Sequence, residues 1–205
     1  MKTTRLEVLM TQAVKITPEQ RIIQATIDCI ERYGLQGATN RRIAEMADVN
    51  VAAINYYFRS KQNLIDQVMD ITLDNAFDWN DLMPLPAETP EQWCVEILVD
   101  ITRGSLNFPG LTRAHFQDLV VNGNYESLAA RRMADFMKEW AEELKNRGIG
   151  IPDDELHNAI ALLGFAFISA VMIPNFFKNS FGLSLEDEDT MRKFYSDLVK
   201  KVFSE

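Results

Sequence analysis

Apolar side chains recur along most of the chain with the spacing of an α-helix. Near the N-terminus, Ile23, Ile27 and Ile30 advance by four and three positions, which places them on one helix face. Residues 191–203 repeat this pattern with aromatic and aliphatic side chains and carry their charges on the opposite face. No segment alternates apolar and polar residues over a convincing strand length. The pattern predicts an all-α fold with about nine helices.

Prolines and glycines divide this helical pattern into regions. Residues 19–83 contain no proline, whereas the segment 82–90 contains three and is the best candidate for a linker. We therefore expect an N-terminal arm (1–17), a small three-helix domain (18–78) and a larger helical domain (79–205).

Residues 39–58 have the layout of two short helices joined by a tight turn. Thr39 can cap a helix over 40–47, and Asn50 can cap a second helix that starts at the next residue. Asp48 lies between them and tolerates positive φ. The layout predicts a helix-turn-helix motif, although a plain helical hairpin with surface charges fits the same composition.

The second short helix has side chains that suit the major groove of DNA. Val51, Ala52 and Ala53 permit a close approach, and their methyl groups can touch thymine methyls. Asn55 can pair with an adenine edge. Candidate contacts to the sugar-phosphate backbone lie on this helix and beside it. They are Arg41, Arg42, Tyr56, Tyr57 and Lys61.

A series of residues between positions 18 and 70 stands in a characteristic order and spacing. The series is Arg21-Ile22-Ile23-Gln24-Ala25, Tyr33-Gly34, Gly37-Ala38-Thr39, Ile43-Ala44, Ala47-Asp48-Val49, Tyr57-Phe58, Ser60-Lys61 and Leu64. It resembles the N-terminal domain of the TetR family of bacterial transcriptional regulators. The resemblance covers about a quarter of the chain, and beyond residue 78 it concerns architecture alone.

The resemblance implies roles for individual residues. It implies that residues 51–56 lie on the recognition helix, that Thr39 contacts phosphate, and that Tyr57 and Lys61 touch the DNA backbone. Asp48 stands where the family commonly has Gly, and Asn50 and Asn55 replace a common Ser and Tyr. The base preference of other members therefore does not carry over. The complete set of candidate DNA-binding residues is Thr39, Asn40, Arg41, Arg42, Asn50, Val51, Ala52, Ala53, Asn55, Tyr56, Tyr57 and Lys61.

The charges divide between the two regions. The chain has a formal net charge of -9, which on its own argues against binding nucleic acid. Residues 1–66, however, carry 9 basic and 7 acidic side chains, whereas residues 67–205 carry 12 basic and 23 acidic ones. The acidity therefore belongs to the C-terminal region, and we expect weak long-range attraction to DNA and low non-specific affinity.

The resemblance implies that the C-terminal helices form a homodimer interface and enclose a ligand cavity. Two apolar helices, about 153–176 and 187–203, would form the interface, although they could instead form only the monomer core. No residue is assigned to ligand binding. A set of aromatic and methionine side chains could line a pocket, and their chemistry suits a hydrophobic or aromatic effector. These candidates are Trp93, Phe108, Phe116, Met133, Phe136, Met137, Trp140, Phe165 and Phe167.

Other function classes have weaker support in the sequence. The uncharged segment 159–177 is long enough to span a membrane, but Pro174 and its acidic start favour a buried helix and no membrane association. Neither a catalytic triad nor a metal-ligand spacing is present, so we expect no enzyme activity, metal or cofactor. Cys29 and Cys94 are expected to be reduced thiols of a cytoplasmic protein. The leading hypothesis is a ligand-released transcriptional repressor. The alternative is a helical small-molecule or protein-binding module without DNA binding.

Overall fold

The computed structural model describes residues 16–203, whose regular structure consists of α-helices without any strand. The all-α prediction is confirmed, with eleven helices in the described residues where about nine were expected. The helices are α1 (Pro18–Gly37), α2 (Asn40–Ala47), α3 (Val51–Phe58), α4 (Lys61–Ala76), α5 (Trp79–Leu82), α6 (Pro90–Asn107), α7 (Pro109–Asn122), α8 (Leu128–Asn146), α9 (Asp153–Met172), α10 (Pro174–Phe181) and α11 (Glu188–Phe203).

The chain divides into two compact units, the first ending at Asn75 and the second beginning at Ala76. The division lies close to the boundary predicted at residue 78. Of the predicted N-terminal arm, residues 1–15 lie outside the described part of the chain.

The first unit is held together by a small apolar core. Helix α1 packs against α2, and α2 packs against α3. The buried side chains include Ile22 and Ile30 of α1, Ile43 of α2, Ile54 of α3 and Leu64 of α4. Since these residues recur at helical spacing, burying them fixes which faces of α2 and α3 stay exposed.

The second unit is built around α6, which packs against α7, α9 and α11. A buried hydrogen bond of 2.7 Å joins the Thr102 hydroxyl of α6 to the Tyr195 hydroxyl of α11. Arg192 of α11 donates to Glu96 of α6 at the edge of the same contact. Burial raises the pKa of Tyr195 to about 12, so this hydroxyl stays protonated at neutral pH.

The helix predicted over 153–176 is divided in the structure, which corrects that prediction. Helix α9 ends at Met172, and Pro174 begins α10. The physical reason is that proline has no N–H to continue a helix but is well accommodated in the first helical turn.

Helix α9 is also the single described helix that is long and apolar enough to cross a membrane. One of its faces is buried in the core of the second unit through Leu156, Leu163 and Phe167. This burial is what the sequence predicts for a core helix. Leu162 and Phe165 are exposed and lie off the buried face.

The two cysteines are free thiols, as expected, and both are buried. Cys29 lies in the first unit and Cys94 in the second. Burial raises the pKa of both thiols, so they remain neutral and pack as small apolar side chains.

Candidate nucleic-acid interface

A tight turn joins α2 to α3 and depends on a left-handed residue. Asp48 has φ 52° and ψ 54°, and its N–H bonds to carbonyl groups at the end of α2. The Val49 N–H donates to the Ala44 carbonyl at 3.0 Å, which closes the turn. Arg21 of α1 donates to the Asp48 carbonyl at 3.4 Å. The predicted positive φ at Asp48 is confirmed, and Asp adopts this region more readily than most residues.

The predicted N-caps of the two short helices are also confirmed. The Thr39 hydroxyl accepts a hydrogen bond from the Arg42 N–H at 3.3 Å. The Asn50 side chain accepts one from the Ala52 N–H at 2.9 Å. Both caps satisfy backbone donors that a helix leaves open, and they fix where α2 and α3 begin.

Helix α3 divides sharply into a buried and an exposed face. Ile54 and Phe58 are buried, four residues apart, and anchor the helix to the first unit. Val51, Ala52, Asn55, Tyr56 and Tyr57 are exposed, and Ala53 is half-buried. The Tyr56 ring is 81% exposed and contacts the Tyr57 ring edge-on at 5.0 Å. A single helix face thus presents small apolar groups, an amide and phenolic hydroxyls.

The two arginines of α2 have intramolecular partners. The Arg41 Nε lies 2.9 Å from a Glu45 carboxylate oxygen one turn away. The Arg42 guanidinium lies over the Tyr33 ring at 4.3 Å and donates to the Gly37 carbonyl. Asn40 is half-buried. To reach phosphate, Arg41 and Arg42 would have to exchange these partners or share them.

Arg59 was not among the residues predicted from the sequence. It is exposed, follows α3 directly, and has φ 67° and ψ −38°. The Ser60 N–H donates to the Phe58 carbonyl at 2.8 Å, so Arg59 is the central residue of a strained γ-turn. Arginine has no local preference for this conformation, so the only signal in the sequence was its position between the two helices.

Lys61 begins α4 beside this turn. The Ser60 hydroxyl caps α4 by accepting from the Asn63 N–H at 3.1 Å. Within the described part of the chain, neither Arg59 nor Lys61 takes part in an ion pair. Two cations therefore stand at the junction of α3 and α4 without a carboxylate partner among these residues.

The second unit contains a small internal cavity of about 20 Å³. Five of the nine candidate ligand residues line it: Met133, Phe136, Met137, Trp140 and Phe167. A space of this size holds roughly one water molecule. Trp93 and Phe116 are instead packed in the core, Phe108 lies at the junction of α6 and α7, and Phe165 is exposed.

A second cavity, an open apolar groove of about 220 Å³, lies between α9, α10 and α11. Phe165, Phe177 and Phe194 are among its lining residues. No group of side chains suited to holding a metal occurs among residues 16–203. The groove therefore offers apolar surface rather than a site for chemistry.

Comparison with known proteins bears on the first unit most directly. Residues 22–68 match the sequence model of the family described as "Bacterial regulatory proteins, tetR family". The N-terminal helix-turn-helix domain belongs to the TetR family of bacterial transcriptional regulators. The match covers α2 and α3 completely, together with most of α1 and part of α4.

Two curated relatives that match part of this chain are named as regulators. It is 25% identical over 116 residues to the "Probable HTH-type transcriptional regulator YttP" of Bacillus subtilis, which covers 53% of this chain and 54% of the relative. It is 38% identical over 76 residues to the "HTH-type transcriptional regulator BetI" of Escherichia coli, which covers 36% and 38%. The matches thus span about half of YttP and less of BetI. Neither relative is described as an enzyme.

The fold of most of the chain is shared with solved structures. A TetR-like transcriptional regulator from Rhodococcus sp. RHA1 superimposes with a TM-score of 0.64 at 14% identity, covering 93% of this chain and 97% of the other. A TetR transcriptional regulator from the same source gives a TM-score of 0.52 at 23% identity, covering 89% and 94%. The likeness in fold therefore extends from the helix-turn-helix domain into the C-terminal helices.

Proposed function

We propose that this protein is a cytoplasmic, ligand-responsive transcriptional repressor that binds operator DNA as a homodimer. The fold and the relatives are those of a DNA-binding transcriptional regulator. The observation that carries the proposal is the exposed face of α3, where a capped helix presents small side chains and an amide. Repression, release by a ligand and dimerisation are the parts of this proposal that go beyond DNA-binding regulation.

Helix α3 reads bases in the major groove. Val51 and Ala52 stand exposed at its start and can contact thymine methyls. Asn55 lies one turn later on the same exposed face, and its amide has the donor and acceptor that an adenine edge requires. Tyr56 extends beyond them and reaches the sugar-phosphate backbone.

Phosphate contacts concentrate at the junction of α3 and α4. Arg59 and Lys61 have no carboxylate partner among the described residues, and Tyr57, two residues before Arg59, is exposed. Arg41 and Arg42 start from intramolecular contacts, so they contribute less binding free energy than the sequence suggests. Thr39, Asn40 and Asn50 contribute mainly by fixing the two helix starts.

The dimer forms through α9 and α11, with α10 at the edge. Helix α9 exposes Leu162 and Phe165, the latter at 67%. Helix α10 has no buried residue and exposes Phe176 and Phe181, the latter at 77%. Apolar patches of this kind on a soluble protein mark interaction surfaces, and a twofold axis lets both copies bury the same face. Two copies also present two recognition helices to two half-sites.

The effector acts through the second unit. Because the cavity next to Phe136 has room for only about one water molecule, its apolar lining has to move apart to admit a hydrophobic or aromatic effector. A ligand that prefers a conformation with mis-spaced recognition helices weakens DNA binding, and DNA weakens ligand binding by the same factor.

DNA binding is tested by fluorescence anisotropy on the duplex that flanks the protein's own gene. We expect a salt-sensitive complex with that duplex and weak binding to random-sequence DNA at physiological salt. Tight binding to random DNA would contradict the inference from charge. Absence of any sequence-dependent complex would favour a binding module without DNA.

Dimerisation is tested by sedimentation or light scattering. We expect about twice the 23.5 kDa of one chain for the wild type. Phe165→Asp should give monomers, because it buries a charge in the interface. Val121→Asp is the matched control, since Val121 is equally exposed but lies on α7. Equal masses for both variants would refute this interface.

A further inference from the structure

Asn50 holds the start of α3 with both of its oxygen atoms. Its side-chain oxygen accepts the Ala52 N–H at 2.9 Å, and its backbone carbonyl accepts the Ala53 N–H at 2.9 Å. The oxygen and the nitrogen of an asparagine side chain belong to one planar amide. Because the cap fixes the position of the oxygen, it also fixes the direction of the nitrogen. The two N–H bonds of the Asn50 amide are therefore held in place beside the first residue of α3.

The amide nitrogen is the end of the Asn50 side chain that stays available to a partner. Asn50 is exposed, and so are Val51 and Ala52, the next two residues of the chain. Both of these side chains are small, so a flat partner can come close to the Asn50 amide. The positive end of the α3 dipole lies at the same place and favours a partner that accepts hydrogen bonds. The cap thus leaves Asn50 with the role of a hydrogen-bond donor.

Asn55 differs from Asn50 in this respect, although both are exposed asparagines of the same motif. Asn55 lies inside α3, and its side chain caps no helix. Its amide keeps an oxygen and a nitrogen for a partner, which together match the donor and the acceptor of an adenine edge. Asn50 offers only the donor half of that pattern. The two residues are therefore suited to different groups on DNA.

DNA presents two kinds of acceptor to such a donor, the phosphate oxygens and the base edges. In the major groove guanine offers two acceptors side by side, N7 and O6. The first residues of a recognition helix are the ones that reach base edges in helix-turn-helix proteins. Phosphate is disfavoured by Asp48, two residues before Asn50, because its carboxylate is fully exposed and its ion pair with Arg21, at 3.9 Å, is too exposed to cancel the charge. A guanine edge is therefore the favoured acceptor.

We propose that the Asn50 amide selects a guanine in the major groove by donating to its N7 and O6 atoms. The inference rests on the reading of DNA by α3 proposed above and adds the base that the start of this helix selects. Asn50 then has two tasks, because its oxygen fixes α3 and its nitrogen reads the sequence. Each half-site of the operator contains one G·C pair that depends on Asn50, besides the adenine that Asn55 reads.

Selection of bound sequences from a random DNA pool, at low salt, tests this assignment in the full-length protein. Asn50→Asp keeps the cap, because aspartate caps helices as well as asparagine does. It replaces the exposed donor with an acceptor, which suits the N4 amino group of cytosine. The wild type should enrich guanine at one position of each half-site, and Asn50→Asp should enrich cytosine there. A contact to phosphate would instead weaken all sequences alike and change the preference for no base.

A modified base tests the same contact from the DNA side. In the duplex that the wild type enriches, 7-deazaguanine replaces the selected guanine and removes its N7 acceptor. The wild type should lose at least about threefold in affinity by fluorescence anisotropy. Asn50→Gly lacks the amide but keeps a residue that is accepted at N-caps, and it should lose nothing from this replacement. Asn55→Ala is the matched control, and it should stay as sensitive to the replacement as the wild type.

Two results would overturn the assignment of Asn50 alone. They are an Asn50→Asp profile that still enriches guanine or changes no base, and an equal loss from 7-deazaguanine in the wild type and in Asn50→Gly. Circular dichroism of each variant before the binding measurement shows that it is folded. A wild type that enriches no sequence would overturn the proposed reading of DNA together with this inference, so the two failures are distinguishable.

Discussion

The buried histidine of the second unit should make its stability sensitive to acid. His115 of α7 is buried, and burial lowers its pKa to about 4. His157 of α9 is exposed. In the unfolded chain an imidazole titrates near pH 6.5. His115 is therefore neutral in the folded protein at pH values where the unfolded chain has already bound a proton.

The sign and size of the effect follow from linkage. Above about pH 6.5 both states are neutral at His115, and its full contribution to stability is present. As the pH falls towards 4, only the unfolded state gains a proton, so the free energy of unfolding decreases. A pKa difference of about 2.5 corresponds to a loss of about 2 kcal/mol at pH 5 and about 3 kcal/mol at pH 4.

Urea unfolding of the second unit between pH 7 and pH 4 measures this effect. Because carboxylates also titrate there, the informative quantity is the difference between the wild type and His115→Gln. That difference should change by about 2–3 kcal/mol across the range. His157→Gln, at an exposed position, is the matched control for loss of an imidazole. Parallel curves for the wild type and His115→Gln would refute the claim that burial keeps His115 neutral.

Three further perturbations have expected outcomes. Tyr195→Phe removes the hydroxyl bonded to Thr102 and should lower the free energy of unfolding by about 1–3 kcal/mol, whereas Tyr125→Phe at an exposed position should leave it unchanged. Because the Tyr195 pKa is raised to about 12, the wild type should lose stability as pH rises above about 10, and Tyr195→Phe should lose less; equal alkaline losses would be contrary evidence. Arg59→Gly should raise the free energy of unfolding by about 0.5–1 kcal/mol through relief of the positive φ. The same variant should lower the salt slope of DNA binding by about 1, and Arg59→Lys should restore the slope; an unchanged slope in Arg59→Gly would remove Arg59 from the interface.

Much of the helix-turn-helix could be predicted because its determinants are local. Thr39 and Asn50 cap helices through their own side chains, and Asp48 adopts a conformation that its residue type tolerates. Arg59 escaped prediction because arginine has no such preference for the γ-turn conformation that it adopts. Its conformation is imposed by the closure of α3 onto α4.

Tertiary contacts limited how much of the rest of the candidate interface could be predicted from the sequence. Arg42 has the same sequence context as a free surface cation, but the fold brings Tyr33 beneath its guanidinium group. The spacing of residues on α2 alone could not indicate that contact. The sequence therefore predicted where cations stand, and the structure was needed to tell which of them are already engaged.

The aromatic residues of the second unit show a similar limit. Composition indicated that Trp93, Phe136 and Phe165 were candidates for one pocket. The fold instead buries Trp93 and Phe136, each stacked against the Trp79 ring, and leaves Phe165 exposed on α9. Trp79 was not among the candidates, because its position between two rings depends on how α5 packs against α6 and α8.

Selection of bound sequences from a random DNA pool tests the central claim most directly. The wild type should enrich a twofold-symmetric sequence whose half-sites are one helical turn, or a multiple of it, apart. Asn55→Ala should weaken the free energy of DNA binding by about 1–3 kcal/mol and relax the base preference at one adenine-containing position of each half-site. Gln67→Ala, an exposed polar residue of α4, should enrich the wild-type sequence. Enrichment of no sequence by the wild type, or an Asn55→Ala profile identical to it, would contradict base reading by α3.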